Sequence, residues 1–424
     1  MLSPVRLPNM QHFWLPLVTA AGVLLTTGSA QAQSIDASQH HTCVSTKSGQ
    51  LYCWGRVGWW PIEVPALPPD SVVLSPATIG PRHSTRARYR SIATGWLHDC
   101  ALRRDRVIVC NGNNGSGELG RGGTFDAPPP RLATAHQFEL VTAGLNHTCA
   151  LTAQGAAYCW GDNFAGQVGN GTRAKMVTRP TPVIGGHRFR QLTAGDEHTC
   201  GITTRGRTLC WGANTRGQLG RDPALSGCRP DKACMAVPRP PDDRHRFRTL
   251  SAGGNHTCGV TIADELFCWG DQYSDYQQVG RPPRALLMTL LATPAPIRSM
   301  SSGHWSTCGL TEDGKAFCWG AGVGRRLVQS QCQGAATCLD SVPVSRTIRF
   351  RALAVGDRHA CGIGRSGNVY CWGIRDVRKI GSAQSPADHP PPCSPMLVNA
   401  DARCAVEPFQ VLVPNVYTGE LPRR

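Results

Sequence analysis

The sequence predicts an all-β protein, a seven-bladed β-propeller built from disulfide-stapled hairpins. Three observations predict it. A cysteine pair ten positions apart recurs seven times, at Cys43 and Cys53, Cys100 and Cys110, Cys149 and Cys159, Cys200 and Cys210, Cys258 and Cys268, Cys308 and Cys318, and Cys361 and Cys371. Successive first cysteines lie 49 to 58 residues apart, and a period near 50 with strand-like contents points to one propeller blade per unit. The 424-residue chain also carries 47 Gly and 32 Pro, a turn-rich composition that argues against long helices.

The elements follow in chain order. Residues 1–32 read as an export signal: Arg6 supplies positive charge, FWLPLVTAAGVLL (13–25) is an apolar run, and Ala30-Gln31-Ala32 fits a small-residue cleavage site. The run is too short to span a bilayer. Residues 33–424 are therefore expected to form one propeller outside the cytoplasm, whether in the periplasm, at the envelope surface or in the medium. Twenty cysteines without a CxxC pair suit a disulfide framework in an oxidising compartment, and the close spacing usual for zinc knuckles and thioredoxin-like sites is missing.

Within each unit, apolar residues flank a turn with Gly at 49, 155, 206, 314 and 367, replaced by Arg106 and Asp264 in the other two. This is a hairpin signal. Folding about residue 154 sets Cys149 opposite Cys159, about 4.5 Å apart at Cα for a non-hydrogen-bonded pair, at the short end of disulfide reach. Most units are preceded by a strand that ends in glycine, as in ARYRSIATG (87–95), HQFELVTAG (136–144), HRFRQLTAG (187–195), HRFRTLSAG (245–253) and IRFRALAVG (348–356). Unit one starts late, with SIDASQHHTC, and PFQVLVPN (408–415) is the candidate for its missing outer strand. The termini are accordingly expected to share one blade and close the ring. The remaining cysteines form three short pairs, Cys228 with Cys234, Cys332 with Cys338, and Cys393 with Cys404, expected to brace loops on one rim. Rigidifying a binding surface and protecting long loops from proteolysis are equal readings of that bracing.

The strings AGLNHTCALTAQGAAYCWGDNFAGQVGNGT (143–172) and AGDEHTCGITTRGRTLCWGANTRGQLG (194–220) resemble the repeats of the regulator of chromosome condensation family, whose members form seven-bladed propellers. The resemblance covers nearly all of residues 33–424, and the paired cysteines mark an exported, stapled variety. Units one, six and seven lack the GQLG segment seen at Gly217 to Gly220. The resemblance implies the fold, while for function it spans guanine-nucleotide exchange factors, enzyme inhibitors and plain scaffolds.

Residues that recur at one place in every blade read as architecture. Histidine stands two before the first cysteine at His41, His98, His147, His198, His256 and His359, with Ser306 breaking the series. Tryptophan follows the second cysteine except at Asn111. One structural hydrogen bond and one packing contact per blade explain both series better than a metal ring or a stacking site, and no metal or cofactor is expected.

Positions that differ among otherwise similar units are the candidates for recognition. Two such positions precede each histidine: Gln39-His40, Trp96-Leu97, Leu145-Asn146, Asp196-Glu197, Gly254-Asn255, His304-Trp305 and Asp357-Arg358. They are expected in a turn on one rim, either as a mixed recognition surface or as a solvent loop. Trp59-Trp60, in a proline-rich insertion, is the other candidate. The net charge is +16, and only five of the 44 basic residues are lysine. Runs such as HRFR suggest a basic circumferential band suited to acidic proteins, polysaccharide, lipid headgroups or nucleic acid, although compositional bias explains an arginine excess equally well. Export makes chromosomal DNA an unfavourable target. No GxSxG, HExxH, phosphate-loop or dinucleotide motif occurs. The expectation is a non-catalytic scaffold that binds a protein or an anionic macromolecule through one rim. The alternatives are an exchange-factor-like regulator and a propeller hydrolase or lyase.

Overall fold

The computed structural model describes residues 32–55, 88–124, 132, 134–271, 288–320, 342–375 and 403–411, apart from positions 40, 173, 226, 228–232, 243, 292 and 358. Seven antiparallel sheets follow one another along the chain, five with four strands and two, in blades one and two, with three described strands. Blade four shows the pattern: an inner strand Phe189–Ala194, then His198–Thr203, Thr208–Ala213 and an outer strand Cys234–Arg239, paired in that order. The inner strands touch their neighbours all the way round, from Ala32–Ala37 in blade one to Phe350–Val355 in blade seven and back to blade one. The result is a closed ring.

The hairpins form where the cysteine spacing requires them. In every blade the two cysteines are direct register partners, as Cys200 with Cys210, and all seven bonds join Cα atoms 4.0–4.1 Å apart. The turn between them needs one left-handed residue. Gly206 takes φ +78° there, and Arg106 and Asp264 take φ 66° and 65° in the two blades without glycine. Side chains are tolerated in that conformation at a cost, so the hairpin survives the substitution.

The core consists of radial seams between blades. At the seam of blades three and four, Trp211, Phe189, Leu192 and Leu209 pack on Cys149, Cys159 and Leu151 of the preceding blade, with the Phe189 and Trp211 rings 5.8 Å apart. The staples of blades two, three, four and six are covered in this way by a Phe-Trp pair of the next blade, whereas that of blade one, facing a blade with Asn111 in the tryptophan place, is covered by Ile92, Ala101 and Val109.

The expected sharing of a blade by the termini is overturned. Arg403–Val411 pairs with Val369–Arg375, setting Cys371 against Phe409 and Gly373 against Ala405, and it fills the outer place of blade seven. Blade one is complete at its inner edge without help, because Ala32–Ala37 pairs with His41–Thr46. The sequence SIDA is an inner strand, and the outer place of blade one, expected for 408–415, falls outside the described residues. The described strands of each blade are consecutive, and blade seven meets blade one through side chains, as where His359 reaches Thr42. The inner strand of blade one begins at Ala32, the last residue of the expected cleavage motif. Residues 1–31 and 412–424 lie outside the described residues, as do Cys228, Cys332, Cys338 and Cys393; Cys234 is disulfide-bonded. Among the described residues no helix is long and apolar enough to cross a membrane.

Candidate recognition site at the axial mouth

All inner strands finish on one face, at glycine or, in blade one, Ser38. Glycine is required there by close approach. A Cβ on Gly195 would sit 2.2 Å from His198 Cε1 and 2.3 Å from the Gly253 carbonyl, and one on Gly303 would lie 1.8 Å from the Gly356 carbonyl. In blade one the Ser38 hydroxyl instead donates to His41 Nδ1 at 2.9 Å.

The repeated histidines lock neighbouring blades together. Nε2–H donates to the threonine hydroxyl of the next blade: His98 to Thr148, His147 to Thr199 and His198 to Thr257 at 2.9 Å, and His256 to Thr307 and His359 to Thr42 at 2.8 Å. The hydroxyls pass the chain on to backbone carbonyls, Thr148 to Glu118, Thr199 to Gln167 and Thr257 to Gln218. The same three carbonyls accept Nε1–H of Trp160, Trp211 and Trp269 at 2.7–3.0 Å. The Gln of the GQLG segment therefore serves the seam through its backbone. Burial in the dry seam pushes the imidazole pKa values down, to about 4 for His98 and His256 and about 3 for His147 and His198.

Two seams depart from this pattern. Between blades six and seven the histidine place holds Ser306 and the threonine place Ala360, so donor and acceptor are lost together. Between blades one and two, Asp99 replaces the threonine and accepts from His41 Nε2 at 2.6 Å, both groups being buried. Beside them Asp36 accepts the Thr94 backbone N–H at 2.7 Å, and burial pushes its pKa up to about 6 against the opposing pull of that bond. His41, Asp99 and Cys43 Sγ lie within 4.8 Å of one another. The sulfur is bonded to Cys53, so this cluster is a polar seam without a thiolate ligand.

With the repeated residues occupied, the variable positions define the site. The first member of six of the seven pairs turns inward: Gln39, Trp96, Leu145, Asp196, Gly254 and His304 line a shallow, solvent-open depression of about 70 Å³ on the axis, to which blade seven contributes Val355 and Gly356 rather than Asp357. Asp196 Oδ2 reaches His304 Nδ1 at 2.7 Å from two blades away, and Gln39 Nε2 reaches the same nitrogen at 2.9 Å from the other side. Gly254 permits the crossing, because a Cβ there would lie 2.7 Å from the His304 carbonyl and 2.8 Å from Nδ1. Burial opposes charge on His304, yet the Asp196 bond and the charges of Asp196, Asp357 and Asp271 prevail and raise its pKa above the ordinary histidine value. Trp305 stands edge-on to the His304 ring, centroids 4.3 Å apart.

The second of each pair behaves differently. The carbonyls of Leu97, Asn146, Glu197 and Asn255 accept the backbone N–H that follows the Trp-Gly strand or its equivalent, and the Asn255 side chain accepts from Gln218. Leu97, Asn146, Glu197, Asn255 and Trp305 are half-buried beside the depression, as is Asp357. Gln39, Leu145 and Gly254 matter more than the mixed chemistry of the pairs suggested, and the signal was their place as first member. His40, Arg358, Trp59 and Trp60 lie outside the described residues.

The expected circumferential band of arginine is also corrected. Inner strands start at the opposite end of the axis, where Tyr89, Phe189, Phe247 and Phe350 pair with the last residues before the hairpin turns. Arginines flank both features, so they gather on the far face. Arg104 and Arg365 bond through their backbone N–H to the Arg88 and Arg349 carbonyls. Arg90 and Arg106 pair with Glu139 of blade three, and Arg190 Nη1 donates to the Arg248 carbonyl of blade five. Acidic Asp196, Glu197 and Asp357 stand at the mouth. The bias is axial because strand direction alternates within a blade, which places each inner-strand start and the hairpin turn between the second and third strands on the same face.

Two profiles described as Regulator of chromosome condensation (RCC1) repeat match the chain, one at residues 32–56, 138–167, 189–218, 247–278, 297–323 and 350–374, the other at 154–202 and 205–260. The chain belongs to the RCC1-repeat family. The matches fall on blades one and three to seven. Among curated relatives, the mitochondrial RCC1 domain-containing protein RUG3 of Arabidopsis thaliana is 26% identical over 58% of this chain and 43% of its own, and the ultraviolet-B receptor UVR8 of the same plant is 26% identical over 42% and 40%. The chain thus spans less than half the length of these relatives. The structure of Prp20p from Saccharomyces cerevisiae, whose description names binding to Gsp1p and histones, aligns with TM-score 0.63 at 19% identity over 92% of this chain and 88% of that one. At that identity the likeness shows the propeller fold.

Proposed function

We propose that this RCC1-repeat propeller is an exported, non-catalytic scaffold that binds a macromolecular partner across the axial mouth. One observation carries the reading: the blades differ where their first variable residues converge on one depression, while the recurring histidines, threonines, tryptophans and glycines are engaged in holding blades together. Seven described disulfides support an oxidising location. The mouth offers an aromatic ring at Trp96, an aliphatic at Leu145 and the charged Asp196 and His304 pair, a mixture that suits a protein surface better than a uniform polymer.

The test is site-specific photocrosslinking in the native host. A photoreactive residue in place of Trp96 or Leu145 should capture a discrete partner, one at Met176 on an outer strand should not, and Trp96→Ala with His304→Ala should abolish capture through Leu145. Equal capture at Met176 refutes the assignment. Capture of a small GTPase by a cytosolic, thiol-free-of-bonds form would instead favour the exchange-factor reading.

A further inference from the structure

We propose that the arginine face, opposite the mouth, docks on an anionic lipid bilayer surface. The basic groups are arranged around a disc: exposed Arg90, Arg106, Arg190, Arg205, Arg298 and Arg351 come from four blades, at inner-strand starts and hairpin turns, with Arg90 and Arg106 sharing Glu139 and Arg298 meeting Glu312. A linear polyanion crossing a disc meets the groups along one chord, whereas a planar array of headgroups meets the whole ring. Guanidinium forks suit phosphate oxygens, singly or as bidentate pairs.

Blades four and five carry the strongest part of the patch. The blade-four turn Thr203-Thr204-Arg205-Gly206-Arg207 contains no acid, and neither does the adjoining His187-Arg188-Phe189-Arg190. In blade five, Asp264 pairs with Arg248 and Asp242 with His245, leaving Glu265 as the remaining exposed acid of that turn. Among these charges stands Ile262, 73% exposed, its backbone N–H bonded to the Arg246 carbonyl at 2.9 Å. An aliphatic side chain exposed on a turn that is bonded to the Arg246 carbonyl and lies beside Arg248 has an apolar layer to enter in a bilayer and none in a polysaccharide or nucleic acid. The patch is independent of the mouth, so a bilayer-docked propeller would present the recognition depression away from the membrane.

Flotation of the full mature protein tests the proposal, with phosphatidylcholine vesicles with and without phosphatidylglycerol. Binding should require phosphatidylglycerol and weaken with salt. Each surface arginine is worth about fivefold in partition, so R188S/R205S/R207S should lose about a hundredfold. I262S should weaken flotation several-fold while retention on a heparin column stays unchanged. Far-UV circular dichroism and unreduced mobility confirm the fold of each variant. Equal binding to neutral vesicles, an I262S variant that floats like the parent, or heparin retention without flotation would each overturn the bilayer assignment, the last in favour of a linear polyanion.

Discussion

Replacing Thr199 by valine tests the inter-blade relay at one hydroxyl. The side chain is buried, accepts from His147 Nε2 at 2.9 Å and donates to the Gln167 carbonyl at 3.1 Å. Valine keeps the shape. The Gln167 carbonyl retains Trp211 Nε1–H at 2.8 Å, so the acceptor side loses little. The His147 N–H, by contrast, is left in a dry seam without an acceptor, which costs roughly 1–3 kcal/mol. We expect T199V to destabilise by about 2 kcal/mol in equilibrium urea unfolding at neutral pH with disulfides intact, followed by tryptophan fluorescence and circular dichroism, whose coincidence checks that the transition is two-state. In a cycle with His147→Ala the two losses should fall short of additivity by about 1 kcal/mol or more. Ala360→Thr should bring no compensating gain, because Ser306 offers that seam no imidazole and Ala360 is fully buried, so the added methyl and hydroxyl should destabilise by about 1–3 kcal/mol. A T199V protein indistinguishable from the parent, or strict additivity in the cycle, would refute the relay as a source of stability.

Acid should loosen the ring. His98, His147, His198 and His256 are held neutral, with folded pKa values of about 3 to 4 against an ordinary 6.5, so the unfolded chain binds more protons as pH falls. Stability present above pH 6.5 is then lost progressively toward pH 4, by about 5 kcal/mol for the four groups already at pH 5.5; a urea midpoint unchanged between pH 7.5 and 5.5 contradicts this. Asp36 has the opposite sign, because a pKa raised to about 6 means that its ionised form strains the fold at neutral pH. Asp36→Thr, which installs the residue found at Thr142 and Thr193, should therefore stabilise at pH 8 by about 1–3 kcal/mol and lose that advantage near pH 4, as read from melting at the two pH values. Gly195→Ala should fail to accumulate as folded protein or melt far below the parent, given a Cβ 2.2 Å from His198 Cε1 and 2.3 Å from the Gly253 carbonyl; near-parental melting would show that the mouth relaxes.

Local features of the propeller were legible because each blade is written seven times. The ten-residue cysteine spacing dictated a hairpin register that the structure reproduces at every staple, and the recurrence of histidine and tryptophan marked them as architecture before their partners were known. Relations between blades were not legible in that way. The outer places of blades seven and one attract the same kind of strand, and only the pairing of Arg403–Val411 with Val369–Arg375 decides where it goes. The axial grouping of arginine depends on strand direction relative to the ring, which no single repeat encodes. A subtler signal was present in alignment: Ser306 in blade six is answered by Ala360 in blade seven, and the paired loss identifies threonine as the histidine's partner across the seam. At the mouth, the pairs of variable residues were visible, but which member faces the axis follows from the backbone hydrogen bonds that bind the second member's carbonyl.

Peptide mapping of the unreduced mature protein by mass spectrometry tests the central claim, that autonomous stapled blades assemble the ring. The account predicts seven bonds that each join cysteines ten residues apart, Cys149 to Cys159 and its six counterparts. Bonds between different blades, or free thiols at these positions, would contradict it.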